Sequence, residues 1–335
     1  MTRKGRTRAA IVSTMRSPGP QLASWVRWHA ALGFERFYLF FDADPTEGDG
    51  ALVASLPGVR VIKVDRRARA RMAKDPYCAP LLPLSGEPEA PVGSPEQLTA
   101  RQLCNVKMAL SMARREGIGW LLHIDADELF FPPGRDAAAH FAGLDALGIG
   151  YVIYDNHEAL CESEGAADPF RDVTLFKKNP RVIDPAALAQ AEPYFAERGG
   201  YFLAYANGKA AVRTAEGVEP AGVHGFHVPL ALGFGRARFS SPAILHYPYS
   251  NFDGYWRKFQ RLGWYEGDVL LGQRWFPPLY ELRSRDLACA GKEAEARALF
   301  RRATVLRDRR RKEAWLDSGV LARIPEPSRF LAISR

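Results

Sequence analysis

Two pairs of aspartates, each split by one alanine, hold the most chemical promise in this chain: Asp42 and Asp44 in "DADPTEGDG", and Asp125 and Asp127 in "DADELF", where Glu128 adds a third carboxylate. Carboxylates this close repel and raise each other's pKa, so their joint ionisation calls for a counter-charge. A hard divalent cation, Mg²⁺ or Mn²⁺, supplies one, since it prefers carboxylate oxygens together with the oxygens of a substrate phosphate. If strand geometry continued through the second pair, the period of two would set Asp125 and Asp127 on one face, with Ala126 turned away. The bland reading, a solvated acidic loop, is weakened by context: the core-type run "WLLHI" precedes these acids and "LFFPP" follows.

The elements that must position the acids read as an alternating α/β pattern. "AAIVSTM" (9–15) has strand composition and stops at "RSPGP". A helix follows, with Leu22, Trp25, Val26, His29 and Leu32 on one face and Gly33 ending it. "FERFYLFF" and "VRVIKV" (59–64) read as further strands, and the Pro-, Gly- and charge-rich stretch to about residue 95 reads as an irregular insertion. Thr99 and Gln102 have capping-box spacing before a helix carrying Leu103, Val106, Leu110 and Ala113, closed by Gly117 and followed by the strand "WLLHI". Both acidic clusters then lie just past strand ends, where open parallel sheets gather ligands. His29 and His123 read as packed structural histidines.

Beyond residue 150 come short runs separated by turns, "YVIYDN", "DVTLF", "GGYFLAYANGKAAVR", "GVHGFHVP" and "AILHYPYS", which predict a second, mixed sheet region. From about 252 the pattern is helical, and "RDLACAGKEAEARALFRRATVL" has the form of one tetratricopeptide-type helix-turn-helix; a single copy predicts a helical cap rather than a solenoid.

Composition sets the bounds. A chain of 335 residues, 47% hydrophobic and 25% charged, can bury a sizeable core and is not of disordered type. The net charge of +8 is concentrated in "TRKGRTR", "RRARAR" and "RDRRRK", runs that suit an anionic partner or else form solvated basic faces. Nucleic acid is disfavoured, since no recognition motif accompanies them. Cys78, Cys104, Cys161 and Cys289 are widely separated and form neither a zinc spacing nor a disulfide framework. No run is long and apolar enough for a membrane span, and "AAIVSTM" is not a signal-peptide core. The expectation is a cytoplasmic protein, with peripheral contact to an acidic membrane surface left open.

Two blocks carry a family resemblance. "RSPGPQLASWVRWHAALGFERFYLFFDADPTEGDG" resembles the opening of glycosyltransferases of the family 2-like and family 92 kind, and "RQLCNVKMALSMARREGIGWLLHIDADELFF" resembles their second block with its D-x-D-E motif. The likeness continues more thinly through "NGKAAVR", "VHGFHVP" and "LHYPYSNFDGYWRKF", spanning about residues 9–262. It implies a GT-A fold over residues 8–250 with a C-terminal helical extension over 251–335. It implies a nucleotide-diphosphate sugar donor, most plausibly uridine-linked, a hexosyl or similar transfer with inversion, and a glycan, lipid-linked or other hydroxyl acceptor.

By position, the resemblance makes Asp127 the principal Mn²⁺ or Mg²⁺ ligand and Asp125 a ribose or water-bridged metal contact. Asp42 and Asp44 would hold the nucleotide. A late histidine, His246 or His224, would join the metal or diphosphate. Lys209, Arg213 and Lys258 are candidates to offset the leaving diphosphate, and Asp155, Glu158 and Asp172 are candidate bases, with no spacing to single one out. Where relatives carry a Lys-Asn-Glu-like triplet after the first strand, this chain has Met15, Arg16 and Ser17, which leaves Arg16 as the nucleotide contact there. The N-terminal membrane helix of animal relatives is not seen. Two other classes stay open: a haloacid dehalogenase-like phosphohydrolase, although Leu129 stands where that class has Thr or Val, and a non-catalytic carbohydrate-binding protein.

Overall fold

The computed structural model describes residues 7–15, 18–41, 49–86, 95–262, 269–270, 273–274 and 277–333. Arg16, Asp42 and Asp44 therefore lie outside the described residues. The chain packs as two compact units that interleave in sequence: one comprises 1–90, 96–155 and 208–244, the other 91–95, 156–207 and 245–335. The sequence boundary at 250 falls inside the second.

In the first unit, β1 (Ala9–Met15) is buried throughout and pairs in parallel with β2 (Arg36–Phe41), which pairs in parallel with β3 (Val59–Lys63). On its other side β1 pairs in parallel with β4 (Trp120–His123), and β4 pairs antiparallel with β8 (Lys209–Arg213). The near-continuous apolar character of β1, β2 and β4 is what a sheet covered on both faces requires. Helices α1 (Leu22–Ala31), α2 (Asp49–Ala54), α3 (Arg66–Met72), α4 (Pro95–Arg115) and α5 (Ala137–Ala146) connect the strands. A short strand β5 (Glu128–Phe131) follows the acidic residues; β6 (Ile149–Ala159) then pairs antiparallel with β8. The two-residue hairpin of β9 (Glu219–Pro220) and β10 (Phe226–His227) precedes β11 (Gly235–His246), which pairs with β5 and β6. Val12, Phe40, Val106, Leu110, Leu121 and Val212 form the heart of the core between sheet and α4.

The second unit takes the end of β6 and pairs it antiparallel with β7 (Leu175–Lys177), itself paired with β14 (Leu321–Arg323). The remaining elements are α6 (Pro169–Asp172), α7 (Pro185–Ala196), α8 (Phe252–Leu262), β12 (Val269–Leu270), β13 (Gln273–Arg274), α9 (Leu279–Cys289), α10 (Glu293–Thr304), α11 (Arg309–Asp317) and α12 (Glu326–Ile333). The helix-turn-helix expected near 285–306 is α9 and α10, joined at Gly291, whose φ of 66° lies in the left-handed region that glycine enters without steric cost. Among the described residues no helix is long and apolar enough to cross a membrane.

Two sequence expectations are corrected. Thr99 does not cap α4; the helix begins at Pro95, and Thr99 and Gln102 are buried within it. Proline at a helix start has no N–H to lose, so it competes well with a downstream Thr. The stretch after β3 is not wholly irregular, because Asp65 accepts from the Ala68 N–H and caps α3, which takes in the whole "RRARAR" run. "RDRRRK" lies at the surface, with Arg307, Arg309, Arg310 and Arg311 exposed, and several of its charges are paired. Its Arg307 pairs with Glu164, Lys312 with Glu162, Arg309 with Glu313 and Arg311 with Asp308.

The apolar face of α1 does more than pack. Trp25 Nε1–H donates to the Glu128 carbonyl at 2.7 Å, and Trp28 Nε1–H donates to the Phe130 carbonyl at 2.9 Å. His29 Nδ1–H donates to the Trp25 carbonyl at 2.9 Å, while Nε2 accepts from the Phe130 N–H at 3.1 Å. That arrangement needs a neutral ring. Burying two indoles is worth more than these bonds, about 3–5 kcal/mol per ring lost against ~1 kcal/mol per bond, so packing fixes α1 and the bonds fix the register of β5.

Burial pushes the His29 imidazole down from 6.5 to about 3, with the Trp25 bond opposing. The unfolded chain therefore takes up a proton below about pH 6.5 that the native state refuses, and stability falls as pH drops through that window. This one ring contributes a loss of about 2 kcal/mol between about pH 7.5 and pH 5. His29→Gln should be less stable at the higher pH by about 1–3 kcal/mol, yet show a shallower acid slope in urea titrations at the two pH values; an unchanged slope would refute the neutral-ring account.

Candidate functional site

The chain leaves β4 after Ile124 and enters β5 at Glu128, and the residues between form a tight turn in which the Glu128 N–H donates to the Asp125 carbonyl at 3.2 Å. Extended geometry therefore stops at Asp125, and the strand-period placement of Asp125 and Asp127 on one face does not hold. The turn is closed a second time by the Glu128 carboxylate, whose Oε2 accepts from the Asp125 N–H at 2.6 Å. Glu128 is fully buried, whereas Asp127 is partly exposed at the apex.

Asp125 is held from within. Its Oδ1 accepts from Gln102 Nε2 at 3.0 Å and its Oδ2 from Lys209 Nζ at 2.5 Å. Lys209 opens β8 and its side chain is 1% exposed; Nζ also lies 3.6 Å from Glu128 Oε2 and 3.5 Å from the Val223 carbonyl. Burial alone would push the Asp125 carboxyl up, but the Lys209 ammonium and the neighbouring His123 hold it well below the usual carboxylate range. Burial would likewise lower the ammonium, and Asp125 with Glu128 outweighs it, so Lys209 is pushed up to about 12. Glu128 is driven the other way, well above the usual range, first by burial and then by Asp125 and Asp127, despite the opposing ammonium.

His224 donates from Nδ1 to the Gly208 carbonyl at 2.8 Å, and burial followed by the Lys209 charge keeps the ring neutral by lowering its pKa. His123 is buried at the end of β4, its Nε2 lacks a hydrogen-bond partner among the described residues, and burial lowers it to about 3. Gly208 makes this junction possible. Its φ is +80°, and a Cβ there would collide with the Tyr154 carbonyl of β6. One turn thus delivers Lys209 to the acids while its carbonyl holds His224.

Of the described candidates in the first unit, Asp125, Asp127, Lys209 and His224 come together at the turn. Arg213 sits at the far end of β8, opposite Trp120, where it meets Asp145 at 3.3 Å. Asp155 is 1% exposed and held by Arg238 at 2.5 Å and Ser240 Oγ at 2.6 Å, so its carboxylate is engaged rather than waiting for a proton. Glu158, in the second unit, pairs with Lys177 at 2.5 Å and accepts the Leu203 and Ala204 N–H groups; both charges are buried, a structural assignment. Asp172 is exposed and accepts the Asp168 N–H at 3.0 Å. His246 stacks on Tyr205 at 4.6 Å between centroids, and Lys258 Nζ lies 4.8 Å above the Tyr249 ring.

Sequence reasoning missed Gln102 and the anchoring part of Glu128. A signal existed: Gln102 and Asn105 are polar residues three apart on an otherwise apolar helix face, and Asn105 Nδ2 donates to Thr14 Oγ1 at 3.0 Å at the end of β1. A divalent ion at Asp125 would find both carboxylate oxygens engaged and an ammonium already against one. Among the described residues no group of three or more His, Cys, Asp or Glu is placed to hold a metal. The donor set around Asp125 does not fit such an ion.

No protein-family model matches the chain. A protein of Arabidopsis thaliana named glycosyltransferase-like is 27% identical over 328 residues, covering 94% of this chain and 62% of that protein. A second of the same designation and organism is 31% identical over 265 residues, covering 75% of this chain and 56% of that protein. The chain thus spans under two thirds of the length of the curated relatives it matches. Among solved structures, S. aureus TarS residues 1–349 aligns over 98% of this chain and 90% of its own at 12% identity and a TM-score of 0.35, too weak a likeness to bear on the fold.

The Gly208 turn gives a direct check. Gly208→Ala should cost about 3 kcal/mol or more, combining left-handed backbone strain with the collision at Tyr154. Gly143→Ala, at an exposed helical position with open space, should instead stabilise by about 0.5–1 kcal/mol. Urea unfolding of both variants reads the contrast, and a mild Gly208→Ala would show that the turn does not fix Lys209.

Proposed function

We propose that the chain is a glycosyltransferase of GT-A kind whose nucleotide-sugar donor is received at the Asp125–Glu128 turn. The observation that carries this reading is a partly exposed carboxylate, Asp127, at the apex of a rigidly braced turn just past the carboxyl end of a parallel strand. Ligands of open α/β sheets collect there. Support comes from the two glycosyltransferase-like relatives, which between them align with most of this chain.

In such a transfer the bond between the anomeric carbon and a diphosphate oxygen breaks and a bond to an acceptor hydroxyl oxygen forms; the hydroxyl proton leaves with a base and negative charge grows on the diphosphate. The residues around the turn contribute position and dryness. Gln102 and Lys209 fix Asp125, the α1 tryptophans fix β5, and Asp127 is thereby presented in one place toward a donor. A uridine-linked hexose donor, inversion, and a glycan or lipid-linked acceptor belong to the same reading. Asp155 and Glu158, engaged by Arg238 and Lys177, are not assigned as the base.

The test is turnover of a panel of nucleotide sugars, read as slow release of nucleoside diphosphate without acceptor. Wild type should turn over at least one donor, and Asp127→Asn should lose at least about 100-fold while its unfolding midpoint is retained. Full activity in Asp127→Asn would overturn the placement of the site. Hydrolysis of simple phosphate esters in place of nucleotide sugars would favour a phosphohydrolase.

A further inference from the structure

We propose that Lys209 is the resident cation of the acidic turn: its ammonium takes the place a divalent ion would occupy at Asp125, so the free protein has no metal site there, and Asp125 serves as the anchor of Lys209. The inference touches the proposed function only in asking how the turn's charge is balanced, and it is tested without any nucleotide.

Four observations carry it. Lys209 Nζ stands 2.5 Å from Asp125 Oδ2 and 3.6 Å from Glu128 Oε2, between the two carboxylates an ion would have to bridge. The other Asp125 oxygen is taken by Gln102. The ammonium cannot swing out to solvent to make room, since its side chain is 1% exposed and its β8 origin is fixed by the Gly208 turn. Finally, the cluster keeps unused ligand atoms: Glu128 Oε1 and His123 Nε2 are buried without hydrogen-bond partners among the described residues. A hard cation and a fixed ammonium at one carboxylate repel strongly where water cannot screen them. With the ammonium gone, the Asp125 and Glu128 side chains it now stands between would be left to a hard cation such as Mg²⁺ or Mn²⁺.

The two aspartates therefore have different tasks. Asp125 and Lys209 form an internal pair that positions the turn, and Asp127 stands partly exposed at its apex. Lys209, buried as it is, acts as a positioning residue and does not reach a donor phosphate.

The experiment counts Mn²⁺ bound to the full chain, free of nucleotide, by the loss of the free-ion electron paramagnetic resonance signal. Wild type and Lys209→Arg should bind no ion at the turn up to about 1 mM, a threshold set by the weak hold of a lone carboxylate. Lys209→Met should bind one ion per chain at least about tenfold more tightly, and Lys209→Met/Asp125→Asn should lose it again. Sub-millimolar Mn²⁺ binding by wild type that disappears in Asp125→Asn would overturn the proposal, as would a folded Lys209→Met that binds no better than wild type. Should Lys209→Met fail to fold, the wild-type titration with Asp125→Asn decides alone. Because no donor is present, a failure here leaves the glycosyltransferase reading standing, and a failure of every nucleotide sugar leaves this result standing.

Discussion

An ammonium removed from water must find a counter-charge, and the pairing of buried Lys209 with the partly exposed Asp125 is the constraint around which the first unit is arranged. Taking such charges out of water costs several kcal/mol per ion, and only close geometry with further hydrogen bonds offsets that. The structure meets the condition from three directions in sequence. Gln102 comes from α4, the Asp125 carboxylate from the end of β4, and the ammonium from the start of β8. A pair met this way adds little net stability over an apolar substitute, yet breaking it from one side is costly, so its contribution is to register: it dictates where β8 begins and which way the acidic turn faces.

That register is reinforced from the opposite side of β5. Trp25 and Trp28 donate to alternate carbonyls of the strand, and His29 accepts the N–H between them, so one helix face reads the β5 backbone directly. The turn is consequently braced at both ends, by the Glu128 carboxylate within it and by indole donors just after it. Asp127 lies at the apex of a short, doubly closed loop. Preorganisation of this kind is what a group needs if it is to meet a ligand without rearranging when charge develops.

Much of this arrangement was legible in the sequence and some could not be. The strands β1, β2, β3 and β4 and the helix α1 announce themselves through apolar runs and helical spacing, because local sequence decides which residues a sheet or helix face can bury. The acids at the end of β4 were equally visible. What sequence could not show is the partner of Asp125, which lies 84 positions away and is brought there by β8 running antiparallel to β4. The two-residue period also misled, since it presumes the strand continues, whereas the Glu128 side chain captures the Asp125 N–H and folds the segment into a turn. Thr99 misled for a related reason: a capping-box spacing is a local signal, and Pro95 offered an earlier start.

The same logic of local neutralisation governs the basic surplus. Read as runs, the arginines of residues 307–312 look like a surface awaiting an anion; folded, they face Glu162, Glu164, Asp308 and Glu313. Exposed pairs of this kind are each worth under about 1 kcal/mol, so their consequence is for recognition more than for stability: charge that is already paired at short range steers little at long range. Among the features that drew attention in the sequence, the run at 307–312 thus presents charge that is in part already paired. The acidic turn keeps its claim, because Asp125 is paired internally with Lys209 while Asp127 is partly exposed at the apex. An acidic pair serves as a binding element when its two members are made unequal, and here a lysine buried beneath the turn makes them so.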